Sequence, residues 1–318
     1  MGRGARTRAL RRALSGRRRA FPLVPRRRLT GTPFGERRSS RRGRGADVAG
    51  TRPYLPGDPV STIDWFASAR LSSARGTDEF VVRETFAEEA PRVLVVADRS
   101  PSMALYGPDL PWLDKAAALV AATEAIERAA VAARAELGHA DAAAGRTRFL
   151  SPGSVAPRHV VERVRRASFD ATPGSLARVL AELLNRRAEL PQGTFVFVVS
   201  DFLDPVSHGL WARLRGSVWD VVPVVVQDPT WEQSFPEVPN VVLPFVSADG
   251  RDAGDVRLTA SEVVARRAAN ESRLAQLLRR FRALDFDPVL LGVSEPFAVD
   301  AVFLRWAERR RLRRSRRR

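Results

Sequence analysis

The chain has 318 residues and a formal net charge of +17, from 53 Lys+Arg against 36 Asp+Glu. It has no cysteine and only three histidines, which excludes disulfides, thiolate nucleophiles, zinc–thiolate centres and iron–sulfur clusters, and argues against a polyhistidine metal site. At 44% hydrophobic it can bury a core, and the lack of cysteine suits a reducing compartment.

The charge is unevenly spread. Residues 1–45 carry sixteen arginines and one acid, Glu36, and residues 301–318 carry nine arginines and one acid, Glu308. That leaves −6 for residues 46–300. Residues 1–45 are therefore expected to be a disordered Arg-rich tail, and 301–318 a terminal helix end running into a basic tail. No apolar run approaches the roughly 18 residues of a membrane helix. Phe21-Pro22-Leu23-Val24 is too short for a signal-peptide core. The expected location is cytoplasmic, with no transmembrane segment or signal peptide. The tails allow peripheral contact with an anionic membrane surface or with nucleic-acid phosphates.

From residue 46 the composition changes. Tyr54-Leu55-Pro56-Gly57-Asp58-Pro59 is a turn signal, and Ile63-Asp64-Trp65 and Phe80–Arg83 read as short extended pieces. Residues 46–90 are thus expected to form a small β region. Arg92–Ala97 is a Val-rich run ending in Asp98, as in a strand buried on both faces. A helix follows over about 112–137, then a strand at Thr147–Leu150 and a helix at Ser175–Ala188. Strands are expected at Thr194–Ser200, Asp220–Gln227 and, weakened by Pro244, Val241–Phe245. A helix over 260–283, a strand at Pro288–Val293 and a helix over 298–312 complete the pattern. Buried strands alternating with helices over 91–300 predict a doubly wound, mostly parallel α/β sheet.

Such sheets bind ligands beyond the carboxyl ends of their strands. That rule selects Asp98 and Asp201, each following a buried run. Asp98-Arg99-Ser100-Pro101-Ser102 sets one carboxylate and two hydroxyls at alternate positions on a tight loop. Oxygen ligands without Cys or His suit Mg2+ or Mn2+.

The D-x-S-x-S sequence, with an Asp after a later buried strand, resembles the metal-ion-dependent adhesion site of von Willebrand factor A domains. That family adds a threonine from a further loop. The corresponding stretch here is Asp170-Ala171-Thr172-Pro173-Gly174-Ser175. Thr172 has the residue type and Ser175 the better spacing to the helix, so either is the third-loop candidate. A narrower resemblance rests on Tyr54-x-Pro56-Gly57-Asp58, Ile63-Asp64-Trp65-x-x-Ser68-Ala69-Arg70, Glu84, Ser200-Asp201-Phe202, and Asp228-Pro229 with Glu232. In this order they are similar to the signature of the bacterial domain of unknown function 58 family, over about residues 46–312. The resemblance implies a von Willebrand factor A-like domain preceded by a small β region. It also implies association with MoxR-type AAA+ ATPases, as an accessory factor in assembling or maturing complexes.

Plainer readings stand beside these. Asp98, Ser100 and Ser102 also suit an Asx turn or a helix cap. Tyr54, Gly57, Asp58, Asp64, Trp65 and Arg70 could form a surface, but Trp65 is expected in the core, with Asp64 and Arg70 as a structural ion pair. Arg99 is expected to point to solvent, and His139, His159 and His208 to lie on the surface or in loops. No nucleophile elbow or phosphate loop is present. The expected function is a noncatalytic protein-binding module in which Asp98, Ser100, Ser102, Thr172 or Ser175, and Asp201 hold the ion, and an acidic residue of a partner completes it. The alternatives are a Mg-dependent phosphoesterase, or attachment to nucleic acid or a membrane through the tails.

Overall fold

A computed structural model describes residues 18–26, 48–55, 58, 60–76, 79–85, 91–105, 113–143, 145–247 and 253–315. These fall into two units, one made of the described residues of 27–90 and one of 18–26 with those from 91 onward.

In the smaller unit, β1 (Val48–Pro53) and β2 (Val81–Thr85) pair antiparallel, with α1 (Trp65–Arg75) between them. The expected extended piece at Ile63-Asp64-Trp65 is a helix start. Asp64 is the N-cap, its Oδ1 accepting the Ala67 N–H at 3.0 Å, and Gly76 ends the helix in the left-handed region at φ 68°. Trp65 is 58% exposed, against the expectation of a core residue. Arg70 is exposed on the helix. Asp58 holds the preceding turn: it accepts Arg52 Nη1 and Nη2 at 2.7 Å each and the Leu55 N–H at 2.9 Å. Tyr54 donates its backbone N–H to the Phe80 carbonyl. Gly57 lies outside the described residues.

The larger unit is mixed α/β. Its strands are β3 (Arg92–Ala97), β4 (Glu136–Ala143), β5 (Arg146–Leu150), β6 (Phe195–Ser200), β7 (Asp220–Val226) and β10 (Val289–Leu291). They form one sheet in the order β10-β7-β6-β3-β4-β5, parallel throughout except for β5, which runs antiparallel to β4. Its helices are α2 (Lys115–Ala132), α3 (Pro157–Arg166), α4 (Ser175–Asn185), α5 (His208–Arg215), α6 (Ala260–Ala283) and α7 (Pro296–Ser315). The strand expected near Val241–Phe245 exists as β8 (Val242–Val246), but it pairs only with β9 (Ala253–Arg257) in a separate hairpin. The expected helix over 112–137 ends at Ala132, because β4 begins four residues later.

Alternation along β3 splits the core. Val93, Val95 and Ala97 pack with α2, α3 and α7, while Leu94 and Val96 pack with α4, α5 and α6. From β3 the chain builds outward to β4 and β5, then returns to β6 on the other side. The sheet therefore changes direction between β3 and β6, whose carboxyl ends carry Asp98 and Asp201. At the far side, β4 needs Gly138: a Cβ there would meet the Leu150 carbonyl oxygen at 2.6 Å.

Among the described residues, no helix is long and apolar enough to cross a membrane. The disordered tail expected over 1–45 is corrected at 18–26. Phe21 is buried, stacked on Phe303 at 4.9 Å and edge-on to Trp306 and Phe197. Arg18 Nε reaches Asp300 at 2.7 Å and its Nη1 reaches Glu124 at 2.8 Å. The Arg26 N–H donates to Asp220, which also receives both Nη atoms of the buried Arg310 on α7. Arginine content alone suggested a solvated segment; one aromatic anchor and three carboxylates reverse that. Phe21→Ala should cost about 3–5 kcal/mol in urea unfolding, whereas Pro22→Ala, at an exposed neighbour, should change stability by less than about 0.5 kcal/mol.

Candidate functional site

The site lies at the carboxyl ends of β3, β6 and β7. Asp98 follows β3 directly, its N–H donating to the Val199 carbonyl, so the strand ladder itself places it beside β6. Its Oδ1 accepts the Ser100 N–H at 2.9 Å and Ser100 Oγ at 2.6 Å, and its Oδ2 accepts Ser200 Oγ at 2.5 Å. The Asx turn of the plainer reading is thus present. Pro101 then opens a short 3-10 turn, Pro101–Ala104, that buries Ser102.

After β6, Ser200 Oγ accepts the Phe202 N–H, and Phe202 adopts a left-handed φ of 53°. That conformation is uncommon for a bulky residue. It is held by packing of the Phe202 ring against Trp211 and Phe281. The sharp turn leaves Asp201 fully buried at the sheet edge.

Lys115 was absent from the sequence expectations for the site. It is the only lysine among 53 basic residues. Asp114 caps α2 through the Ala117 N–H, which makes Lys115 the first helical residue. Its Nζ donates to Asp201 Oδ2 at 2.8 Å and to Glu232 Oε1 at 2.6 Å, with none of its side chain exposed. A compact ammonium can sit between two carboxylates where a planar guanidinium would need more room. Glu232 Oε2 accepts the Asp228 N–H, and Asp228 accepts the backbone N–H groups of Leu113, Thr230 and Trp231. The residues of the Asp228…Glu232 motif therefore brace the loop after β7.

Burial lowers the Lys115 pKa, but the attraction of Asp201 and Glu232 outweighs it and the net shift is upward. Burial pushes Glu232 up despite Lys115. Burial first, and then the charge of Asp201, push Asp98 above the usual carboxylate range; its hydrogen bonds from Ser100 and Ser200 oppose this without cancelling it. Among the described residues, Asp98 receives hydrogen bonds from hydroxyls and an N–H but from no cation.

The third loop is joined to this edge by the Ala171 N–H donating to the Arg99 carbonyl. Ser175 is buried at the start of α4, while Thr172 is exposed. Their hydroxyls lie 3.3 Å apart, and Arg178 Nη2 donates to both at 2.7 Å. Arg99 does not point to solvent. It is buried, with Nε on Asp141 Oδ2 at 3.1 Å and Nη1 on the Val164 carbonyl, and not on Asp98 or Ser100, its neighbours in sequence. His139, expected on the surface, is buried on β4 beside Asp141. Among the described residues, no three His, Asp or Glu side chains converge to hold a metal, so any ion here relies on hydroxyls as well as carboxylates.

Lys115→Met should destabilise by about 3–5 kcal/mol, because two buried carboxylates lose their shared cation. Adding Glu232→Gln should recover part of that loss in denaturant unfolding; a purely additive double variant would contradict the coupling.

The model of the family described as "Protein of unknown function DUF58" matches residues 50–275. Uncharacterised proteins of Mycobacterium bovis and Mycobacterium tuberculosis are 28% identical over 228 residues, 71% of this chain and 68% of theirs. Among solved structures, the conserved hypothetical protein BatB from Bacteroides thetaiotaomicron is 14% identical, with a TM-score of 0.41, over 69% of this chain and 100% of its own. An aerotolerance-related membrane protein from Bacteroides fragilis, carrying multiple mutations to serines, is 12% identical with a TM-score of 0.38 over the same shares. With most of its length matched by the family's model, the chain belongs to the DUF58 family.

Proposed function

We propose that the larger unit is a von Willebrand factor A-like, noncatalytic protein-binding module. Its site would hold a divalent cation, Mg2+ or Mn2+, of the adhesion type. The observation that carries this reading is Asp98: a buried carboxylate beside a second one, hydrogen-bonded only by neutral groups. A buried anion with no cation hydrogen-bonded to it is costly, and a bound cation relieves that cost. The position supports the reading as well, since Asp98 and Asp201 flank the point where the sheet changes direction.

Asp98, Ser100 and Ser102 would supply the principal oxygens. Ser175 is favoured over Thr172 as the third-loop hydroxyl because it is the buried one. Asp201 already carries the Lys115 ammonium on Oδ2, which favours a role through the local field or a water over direct ligation. The ion, when bound, supplies a localised positive charge at the sheet edge. Its remaining position would take a carboxylate from a protein partner, and a MoxR-type AAA+ ATPase is the partner the family resemblance implies.

Calorimetric titration with Mg2+ and Mn2+ should show one site in the wild-type chain and none in Asp98→Ala; no binding by the wild type would sink the metal reading. Binding should weaken as the pH falls, because a proton competes for the Asp98 carboxylate, whose pKa burial has raised.

The same shift fixes a sign for stability without metal. An acid whose folded pKa lies above its unfolded value carries no penalty below the unfolded value, near 3.8. The penalty grows as the pH rises through the folded value. With chelator present, Asp98→Asn should therefore match the wild type only at or below a pH of about 3.8 and melt higher than it at pH 7. A lower melting temperature for Asp98→Asn at pH 7 would contradict the buried-charge account.

A further inference from the structure

A second polar centre lies on the other side of the sheet edge and does not depend on the metal reading. A cavity of about 440 Å³ opens between β4, β5 and α3, lined by His139, Asp141, Arg148, His159, Glu162, Arg163, Arg166 and Ala167. Its floor is buried. His139 and Asp141, two apart on β4, share one face of the strand, and Asp141 Oδ2 accepts both His139 Nε2 at 3.0 Å and Arg99 Nε at 3.1 Å. Three polar atoms of this cluster are buried with no hydrogen-bond partner: His139 Nδ1, Asp141 Oδ1 and Arg99 Nη2. Such atoms are rare in folded proteins; Arg99 Nη2 is a donor that an anion's oxygen satisfies, whereas Asp141 Oδ1 is an acceptor that an anion does not satisfy. Two of the chain's three histidines line this one cavity.

The rim is cationic. Arg148 stands directly across from Asp141 in the β4–β5 register. His159, Glu162, Arg163 and Arg166 sit at helical spacings that share one face of α3. Glu162 is already neutralised by Arg165 at 3.0 Å and Arg166 at 2.6 Å, and Asp141 by Arg99. Among the described residues, Arg148 and Arg163 have no carboxylate partner. The cavity thus offers unpaired guanidinium donors above a buried imidazole, with each of its carboxylates ion-paired to an arginine. That pairing argues against a metal ion, as does the absence, among the described residues, of three converging His, Asp or Glu side chains.

We infer that this cavity binds the phosphoryl group of a small phosphorylated molecule, with Arg148 and Arg163 as its principal donors and His139 at its floor. Tetrahedral phosphoryl oxygens accept several charge-assisted hydrogen bonds at once, which matches forked donors on two facing elements. The volume lies in the range of small-ligand sites. An extended nucleic acid would want a basic stripe and stacking surfaces, and the buried floor favours a compact ligand instead.

Pyrophosphate titrated into the full chain at constant ionic strength is the test, with sulfate in parallel. Saturable one-to-one binding of pyrophosphate is expected, weakened at least tenfold by Arg148→Gln and by Arg163→Gln. Arg158→Gln, an exposed position on α3 outside the cavity lining, should leave it unchanged. Both rim residues are exposed, so folding should survive the substitutions. In imidazole 1H–15N spectra, pyrophosphate should move the His139 and His159 resonances and leave His208 in place. Equal losses in Arg158→Gln, or equal binding of sulfate and pyrophosphate, would reduce the effect to general arginine electrostatics and overturn the inference. So would an unmoved His139 resonance, or the absence of saturable binding.

Discussion

One buried ammonium organises the carboxyl edge of the sheet. Lys115 Nζ joins the start of α2, the loop after β6 and the loop after β7 through Asp201 and Glu232. Each carboxylate also takes a backbone hydrogen bond from its own loop, Leu203 N–H on Asp201 and Asp228 N–H on Glu232. The position of one cation therefore sets the course of three chain segments. A buried pair of this kind contributes little net stability compared with a well-packed apolar replacement, but losing one member is expensive. Its value lies in holding a unique arrangement, and Asp98 stands next to that arrangement without a cation of its own.

How far the sequence could be read depended on what each feature requires physically. Strands β3, β6 and β7 were legible because a strand buried on both faces must be continuously apolar, and an Asp at the end of such a run stands out. Asp98 and Asp201 were found that way. β4 was hidden: Glu136-Leu-Gly-His-Ala-Asp-Ala-Ala has no β-branched residue and carries two polar side chains that become buried. Those polar groups are tolerable there because Asp141 pairs with His139 and with Arg99, which lies 42 residues away in sequence. No local pattern announces such a partnership. Lys115 left a faint signal, since a lone lysine among arginines is a choice of shape over charge. Asp64 illustrates the reverse error. It is a sound N-cap before Trp65, but two flanking apolar residues suggested an extended piece.

Arg99 links the two polar centres covalently. Its backbone lies between Asp98 and Ser100, while its side chain crosses to Asp141 and rests over the Phe169 ring at 5.4 Å. The loop that presents the candidate ligands is thus anchored from behind by an ion pair whose carboxylate, Asp141, also lines the neighbouring cavity.

The docking of Phe21 has a consequence for the order of events during synthesis. The slot it fills is made by Phe303 and Trp306 of α7, and Arg18 meets Asp300 across 282 residues of sequence. Contacts so far apart in the chain close late and slowly. While the ribosome is still adding the intervening strands, the N-terminal segment has no partner to bind, and its aromatic anchor stays exposed. Only when α7 emerges can that face of the sheet seal. The larger unit therefore completes its fold only once α7 has been made, and not progressively along the chain.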